Sequence, residues 1–103
     1  MKLIASALIA AGVLVSAPAL ASADLAKAKN CMSCHTLDKK LVGPSYQEVA
    51  AKYKNDPNAP KMLAEKIKKG GTGTWGQIPM PPNPQVSDAD INTLVKWILA
   101  GAK

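Results

Sequence analysis

Two cysteines stand three residues apart in this chain, and a histidine directly follows the second, in the run Cys31-Met32-Ser33-Cys34-His35. This C-x-x-C-H spacing is the signature of covalent haem attachment, in which each thiol adds to one vinyl group and the adjacent imidazole reaches the iron. The chain has no other cysteine and no other histidine. The run therefore predicts that Cys31 and Cys34 anchor a haem c and that His35 is one axial ligand.

Three other uses of the same residues compete with this interpretation. A thioredoxin-like dithiol needs a strand before the cysteines, and no β-branched run precedes Cys31. A disulfide between residues three apart closes too small a loop to stabilise a fold much. A zinc site would need a fourth ligand from an Asp or Glu, since Cys31, Cys34 and His35 supply three.

Residues 1–23 have the pattern of a cleaved secretory signal peptide. Lys2 is a minimal basic region, an apolar stretch runs from Leu3 to Val15, and Ala21-Ser22-Ala23 is a good cleavage site of small residues. The alternative is an uncleaved membrane anchor, but the apolar stretch is short for a span. We therefore expect an exported chain of residues 24–103, without stable membrane insertion, in the periplasm.

The exported part would be a single small domain with a thin core. Its 80 residues contain no phenylalanine, and the only aromatic residues apart from His35 are Tyr46, Tyr53, Trp75 and Trp97. Domains of this size usually need disulfides, a metal or a cofactor to be stable. A covalently held haem would supply a large apolar body and a cross-link between distant segments.

The charge of the chain is basic and comes from lysine alone. Without Lys2, 12 lysines and 7 acidic residues remain, which is a formal charge of +5, and there is no arginine. Export and the lack of a basic motif argue against nucleic-acid binding. A lysine-rich surface suits brief electrostatic docking to acidic partners, although it also serves simple solubility.

The pattern predicts an all-α chain with four helical stretches and no strand. Asp24 would cap the first, and Ser45 with Glu48 forms an S-x-x-E capping box for the second. Apolar spacing at i, i+3, i+4 and i+7 supports the second and fourth, and a glycine pair at 70–71 would end the third. The stretches are about 24–32, 45–54, 59–69 and 87–100.

The second iron ligand is predicted in the proline- and glycine-rich stretch 70–85. Of the four methionines, Met1 leaves with the signal peptide and Met32 is too close to His35 to reach the opposite haem face. Met62 lies off the apolar stripe of its helix and should face solvent or the rim. Met80 remains, between prolines that restrict the backbone; a surface or gap-filling methionine is the alternative.

The mature chain resembles the cytochrome c-551/c-552 family of small bacterial class I c-type cytochromes. Beyond the C-x-x-C-H run, the likeness rests on Val42-Gly43-Pro44, on the stretch from Gly73 to Asn83 with its Trp-Gly-x-x-Pro-Met-Pro-Pro run, and on the segments 87–90 and 96–99. The resemblance implies a single-domain class I cytochrome c fold of about four helices wrapped round one covalently bound haem.

The resemblance also implies roles for individual residues. Cys31 and Cys34 would form the thioethers, and His35 and Met80 would be the axial ligands. The Pro44 carbonyl would accept a hydrogen bond from the other His35 ring nitrogen, a contact that orients the imidazole. By the same likeness Trp75 would donate to a haem propionate, Asn83 would contact the Met80 side of the pocket, and Lys66 would lie near a propionate, although an exposed lysine is the default there.

These expectations describe an electron carrier and not an enzyme. With both axial positions filled, the iron has no place for substrate, and Met/His ligation raises the reduction potential. We expect a soluble monomer that shuttles single electrons between a membrane cytochrome donor and a periplasmic reductase, oxidase or peroxidase, through transient docking. A haem enzyme or gas sensor with an open site and a haem-free dithiol protein are the alternatives.

Overall fold

The computed structural model describes residues 18–103, which form four α-helices, one short 3₁₀ helix and no strand. The α-helices are α1 (Pro18–Ala28), α2 (Tyr46–Lys52), α3 (Ala59–Lys69) and α4 (Asp88–Leu99), and the 3₁₀ helix is Cys31–Ser33. The predicted all-α class is confirmed. Within these residues no helix is long and apolar enough to cross a membrane, and the larger part of the predicted signal peptide, residues 1–17, lies outside them.

The first helix differs from its prediction at both ends. It begins at Pro18 instead of Asp24, so Asp24 lies inside the helix and does not cap it in the chain that still carries residues 18–23. The reason is that the Ala- and Leu-rich residues before Asp24 have high helix propensity and extend the helix upstream. The helix ends at Ala28 because Asn30 takes a left-handed conformation, with φ of 65°. The chain then enters the 3₁₀ turn that carries the cysteines.

The capping box predicted for α2 is present in full. The Glu48 backbone N–H donates to Ser45 Oγ at 3.0 Å, and the Ser45 N–H donates to the Glu48 carboxylate at 3.1 Å. Two of the donors left unpaired at a helix start are thereby satisfied. The cap starts α2 directly after Pro44, so it also holds the segment that faces His35.

The third helix has the predicted bounds, and the fourth begins as predicted. Ser87 caps α4 by accepting a hydrogen bond from the Asp90 N–H at 3.1 Å, and the helix ends at Leu99, just before the predicted stop. At the end of α3 a Cβ on Gly70 would collide with the Met80 carbonyl oxygen. Glycine at this position therefore lets the proline-rich stretch cross directly over the end of α3.

Helix α4 is the centre of the fold, since it packs against α1, α2 and α3. Its apolar face supplies the largest share of one continuous core. The fully or nearly buried apolar residues are Ala26, Tyr46, Val49, Tyr53, Ala59, Leu63, Ile67, Val86, Ile91, Leu94, Val95, Trp97, Ile98 and Ala102. This core forms one wall of the cavity described next, so the packing of α4 positions the site.

Candidate functional site

A cavity of about 500 Å³ lies between the C-x-x-C-H segment, the apolar faces of α2, α3 and α4, and the proline-rich stretch. This volume lies in the range of small-molecule and cofactor pockets. All eight residues predicted for the site line this one cavity: Cys31, Cys34, His35, Pro44, Lys66, Trp75, Met80 and Asn83. Residues up to 52 positions apart in the chain thus meet round one space.

The two cysteines reach the cavity from a tight turn. The N–H groups of Cys34 and His35 both donate to the Cys31 carbonyl, at 3.2 and 3.1 Å. Both thiols are free and half-buried, and burial raises the pKa of the Cys31 thiol. The zinc alternative requires a cluster of at least three His, Cys, Asp or Glu ligands, and residues 18–103 hold no such cluster.

The imidazole of His35 is held from several directions. Its Nδ1 lies 2.7 Å from the Pro44 carbonyl oxygen, which is the contact that the resemblance implied. Because a carbonyl oxygen only accepts, Nδ1 carries the proton and the lone pair stays on Nε2. The Tyr46 ring stacks on the imidazole at 5.3 Å between centroids, and a Cβ on Gly43 would lie 2.6 Å from its Cε1. The ring therefore presents Nε2 as a ligand in a fixed orientation.

Met80 is held by its backbone. It forms an isolated antiparallel bridge with Gly71, in which the Gly71 N–H donates to the Met80 carbonyl at 3.0 Å and the Met80 N–H donates to the Gly71 carbonyl at 2.8 Å. This bridge was not predicted from the sequence, where the rigidity of the segment was attributed to the prolines alone. The glycine pair at 70–71 was the available signal, but a two-residue bridge has no periodicity that could reveal it.

Asn83 ties the residues after Met80 to the end of α3. Its Nδ2 donates to the Ile67 carbonyl at 3.0 Å and to the Pro81 carbonyl at 3.2 Å, and its backbone N–H also donates to the Ile67 carbonyl. The bridge fixes the segment before the prolines and Asn83 fixes the segment after them. The Met80 thioether is therefore presented from a backbone anchored at both ends.

The other methionines are excluded by position within the described residues. Met32 and Met62 are half-buried against the core, and neither lines the cavity. Met62, expected to face solvent or the rim, is partly exposed and packs with its other side against the core. Long, flexible methionine side chains fill such irregular gaps.

Trp75 and Lys66 line the cavity and are both partly exposed to solvent. Trp75 is 38% exposed, and Lys66 is half-buried with its Nζ against Gly71, where a Cβ would lie only 2.6 Å away. A second basic residue, Lys52, places its Nζ 5.6 Å from the centroid of the Trp75 ring. Lys52 was not identified from the sequence, because an exposed lysine at the end of a helix has no distinguishing pattern.

The donor set and the cavity fit a covalently attached haem. Two thiols, one imidazole with a free Nε2 and one thioether face a largely apolar space of cofactor size. The Tyr46 hydroxyl is buried and has no hydrogen-bond partner among the described residues, although Tyr46 lines the cavity. Two thiols for thioether bonds, with one nitrogen and one sulfur for the iron, are the groups that a haem c requires.

Comparisons with known proteins agree with this arrangement. The family model described as Cytochrome c matches residues 19–102. The chain is 53% identical to cytochrome c-552 of Nitrosomonas europaea over 90 residues, which are 87% of each chain. It is 57% identical to cytochrome c-551 of Azotobacter vinelandii over 76 residues, which are 74% of this chain and 92% of the relative.

Solved structures give the same result for the fold. The crystal structure of wild-type Nitrosomonas europaea cytochrome c552 superposes with a TM-score of 0.75 at 54% identity, covering 77% of this chain and 98% of that one. The class 1 cytochrome MtoD from Sideroxydans lithotrophicus superposes with a TM-score of 0.68 at 33% identity, covering 81% of this chain and 95% of that one. The chain therefore belongs to the cytochrome c family, as a small class I c-type cytochrome that holds one covalently attached haem c and is an electron carrier, not an enzyme.

Proposed function

We propose that this cytochrome is an exported carrier of single electrons whose haem iron is held by His35 Nε2 and the Met80 sulfur. The observation that carries the proposal is that both side chains line one cavity, while the His35 ring is held by the Pro44 carbonyl and the Met80 backbone by its bridge with Gly71. When bound, the haem supplies an iron that alternates between two oxidation states. Cys31 and Cys34 would hold its edge through thioether bonds.

The residues of this chain would keep the two ligand side chains in nearly the same positions in both oxidation states. The hydrogen bond from His35 Nδ1 to the Pro44 carbonyl fixes the imidazole and increases its basicity. The bridge with Gly71 and the contacts of Asn83 fix the backbone on the thioether side. A neutral sulfur ligand in an apolar pocket favours the reduced iron and raises the potential. The Trp75 indole N–H would donate a hydrogen bond to one haem propionate, and the Lys66 ammonium would neutralise part of the propionate charge.

An absorption spectrum of the haem-loaded protein tests the ligand set. We expect sharp c-type bands in the reduced protein and the weak sulfur-to-iron charge-transfer band in the oxidised protein. Met80→Ala should abolish the charge-transfer band and lower the reduction potential by on the order of 100 mV or more, because the thioether is lost. Met62→Ala is the matched control and should keep both. A Met80→Ala protein with an unchanged band would mean that another group is the ligand.

We propose that the carrier works in the periplasm after removal of residues 1–23. The support is the basic, apolar and small-residue pattern of this segment and the use of cysteines for cofactor attachment. Cleavage after Ala23 would place Asp24 in the first turn of the shortened α1, where a negative charge is favourable. The mass of the protein from a periplasmic extract should correspond to residues 24–103 plus one haem, and a full-length mass would contradict this.

The partners would be a membrane cytochrome donor and a periplasmic reductase, oxidase or peroxidase, met one at a time by a monomer. Membership of the family implies redox partners in general. The lysine-rich surface favours partners with acidic docking faces. Electron transfer with such a partner should slow steeply as salt is added.

A further inference from the structure

One lysine lies between two aromatic rings at the mouth of the cavity. Lys52 is the last residue of α2, and its Nζ is 5.6 Å from the Trp75 ring centroid and 5.7 Å from the Tyr53 ring centroid. Both distances are within the range of cation–π attraction. Both rings line the cavity, one from the loop and one from the end of α2. The ammonium therefore links the two sides of the cavity mouth.

The loop that carries Trp75 has little else to hold its tip. The Gly71–Met80 bridge closes the base of the loop, and residues 72–79 project beyond it. At the tip the Gly73 N–H donates to the Gly76 carbonyl at 2.9 Å, and both glycines have positive φ, of 102° and 122°. A Cβ at either would meet no atom within 4 Å. No other part of the described structure therefore packs against the turn at Gly73 or Gly76.

We propose that Lys52 is a positioning residue, whose ammonium holds the Trp75 loop against α2 and so keeps Met80 on the iron. We call the three-residue contact of Lys52, Trp75 and Tyr53 the clasp. Met80 lies at the base of the same loop, in the bridge with Gly71. A tip that separates from α2 would pull on this bridge and on Met80. The clasp rests on the proposed Met80 ligation, and it adds a residue that controls how readily that ligand leaves.

The clasp differs from a general effect of positive charge. Lys54 lies two residues further on, is exposed, and makes no ring contact or ion pair in the described part of the chain. Lys54→Gln therefore removes the same charge from the same region without touching the rings. Lys52→Arg keeps the charge, and its planar guanidinium stacks on aromatic rings.

Competition by exogenous imidazole measures how readily Met80 leaves the iron of the haem-loaded oxidised protein. Imidazole that replaces the thioether removes the sulfur-to-iron band, so its half-saturating concentration reports Met80 release. We expect Lys52→Gln to lower this concentration roughly two- to fivefold, the range of an exposed cation–π contact. Lys52→Arg and Lys54→Gln should match the wild type. The clasp is wrong if Lys52→Gln has no effect, or if Lys54→Gln lowers the concentration as much.

A double-mutant cycle with Trp75→Leu tests whether Lys52 acts through the ring. Because the two side chains form one contact, their effects on the half-saturating concentration should not add, and Lys52→Gln should have little effect once Trp75 is gone. Full additivity would overturn the clasp, since Lys52 would then act by another route.

A second measurement does not depend on Met80. In the reduced protein, the ring currents of Trp75 and Tyr53 should shift the Lys52 ε-methylene proton resonance upfield, and Trp75→Leu should move it back towards the position of exposed lysines. A resonance that Trp75→Leu leaves in place would overturn the clasp. If the wild type lacks the sulfur-to-iron band, the proposed ligation fails instead, and this resonance alone decides whether the clasp exists.

Discussion

At the scale of single residues, the site depends on what surrounds His35 as much as on His35 itself. Its ring lies against the backbone of Gly43, is stacked by Tyr46, and is hydrogen-bonded to Pro44. The three neighbours sit within four positions of one another in the chain, at the entrance to α2. One short segment therefore sets the orientation and the tautomer of the predicted ligand.

Gly43→Ala should disturb the imidazole by contact alone. A Cβ at this position would lie 2.6 Å from His35 Cε1, while the backbone of Gly43 needs no positive φ. The ring or the segment must move, so we expect a loss of about 1–3 kcal/mol in the free energy of unfolding together with a changed reduction potential. Guanidinium unfolding and voltammetry of the haem-loaded protein measure the two. A variant that matches the wild type in stability and in reduction potential would show that the segment moves to make room for the Cβ at no cost in free energy.

Tyr46 should make the protein less stable at alkaline pH. Burial raises the pKa of its hydroxyl well above the ordinary value of 10.0. Between pH 10 and the folded pKa, the native state keeps a proton that the unfolded chain has released. The contribution of the neutral phenol to stability is therefore complete below about pH 10 and declines above it by up to about 1.4 kcal/mol per pH unit.

Tyr46→Phe should remove this decline. Guanidinium unfolding from pH 8 to 11.5 should give a flatter alkaline limb in the variant. Near pH 7 the two proteins should differ by less than about 1 kcal/mol, because the hydroxyl has no hydrogen-bond partner among the described residues. Parallel alkaline limbs would show that Tyr46 ionises in the fold as readily as in the unfolded chain.

At the scale of elements, the hydrogen bonds that cap the helix starts contribute to stability alongside the apolar faces of the helices. Ser45 of the α2 capping box is buried, 1% exposed, whereas its partner Glu48 is exposed, and Ser45 lies next to the Pro44 carbonyl that binds His35. The cap of α4 is a single, exposed hydrogen bond from the Asp90 N–H to Ser87. The two serines do the same chemical task in different surroundings.

Ser45→Ala should therefore be more damaging than Ser87→Ala. Loss of a serine cap costs about 0.5–2 kcal/mol. We expect the upper half of this range at Ser45, where the lost hydrogen bond is partly buried, and the lower half at Ser87, where it is exposed. Denaturant unfolding of both variants gives the comparison. Equal losses would mean that burial and the reciprocal Glu48 contact add nothing to the cap.

At the scale of the whole molecule, charge governs encounters. The chain has 13 lysines against 7 acidic residues, and residues 24–103 keep a formal charge of +5 before haem is counted. Within residues 18–103 two surface ion pairs occur, Lys68 with Asp88 at 2.6 Å and Lys29 with Asp90 at 3.9 Å, and they leave the net positive charge unchanged. Such exposed pairs add little to stability, so the remaining lysines are available to attract anions.

Small redox complexes of opposite charge test this without a biological partner. The rate of oxidation by hexacyanoferrate(III) should fall as salt is added, because salt screens the attraction. The rate with a cationic ruthenium hexaammine complex should rise under the same conditions. Stopped-flow measurements across a salt series give both slopes, and slopes of the same sign would show that the field at the haem edge is not positive.

The sequence by itself determined the chemistry of attachment and most of the helices. The C-x-x-C-H spacing, the Ser45 capping box and the bounds of α3 are features of residues within a few positions of each other, so local geometry decides them. The start of α1 was missed because helix propensity upstream of Asp24 outweighed the cap that Asp24 could form. The prediction of Met80 came from elimination of the other methionines by their sequence positions and from the flanking prolines.

Only the tertiary structure decided how those groups are held. The Gly71–Met80 bridge, the contact of Gly43 with the imidazole and the position of Lys52 over Trp75 join segments 8 to 23 residues apart. No periodicity marks such pairs, because each is a single contact between residues of different segments of the fold. The sequence could thus name candidate ligands, whereas the contacts that orient these side chains are products of the packed fold.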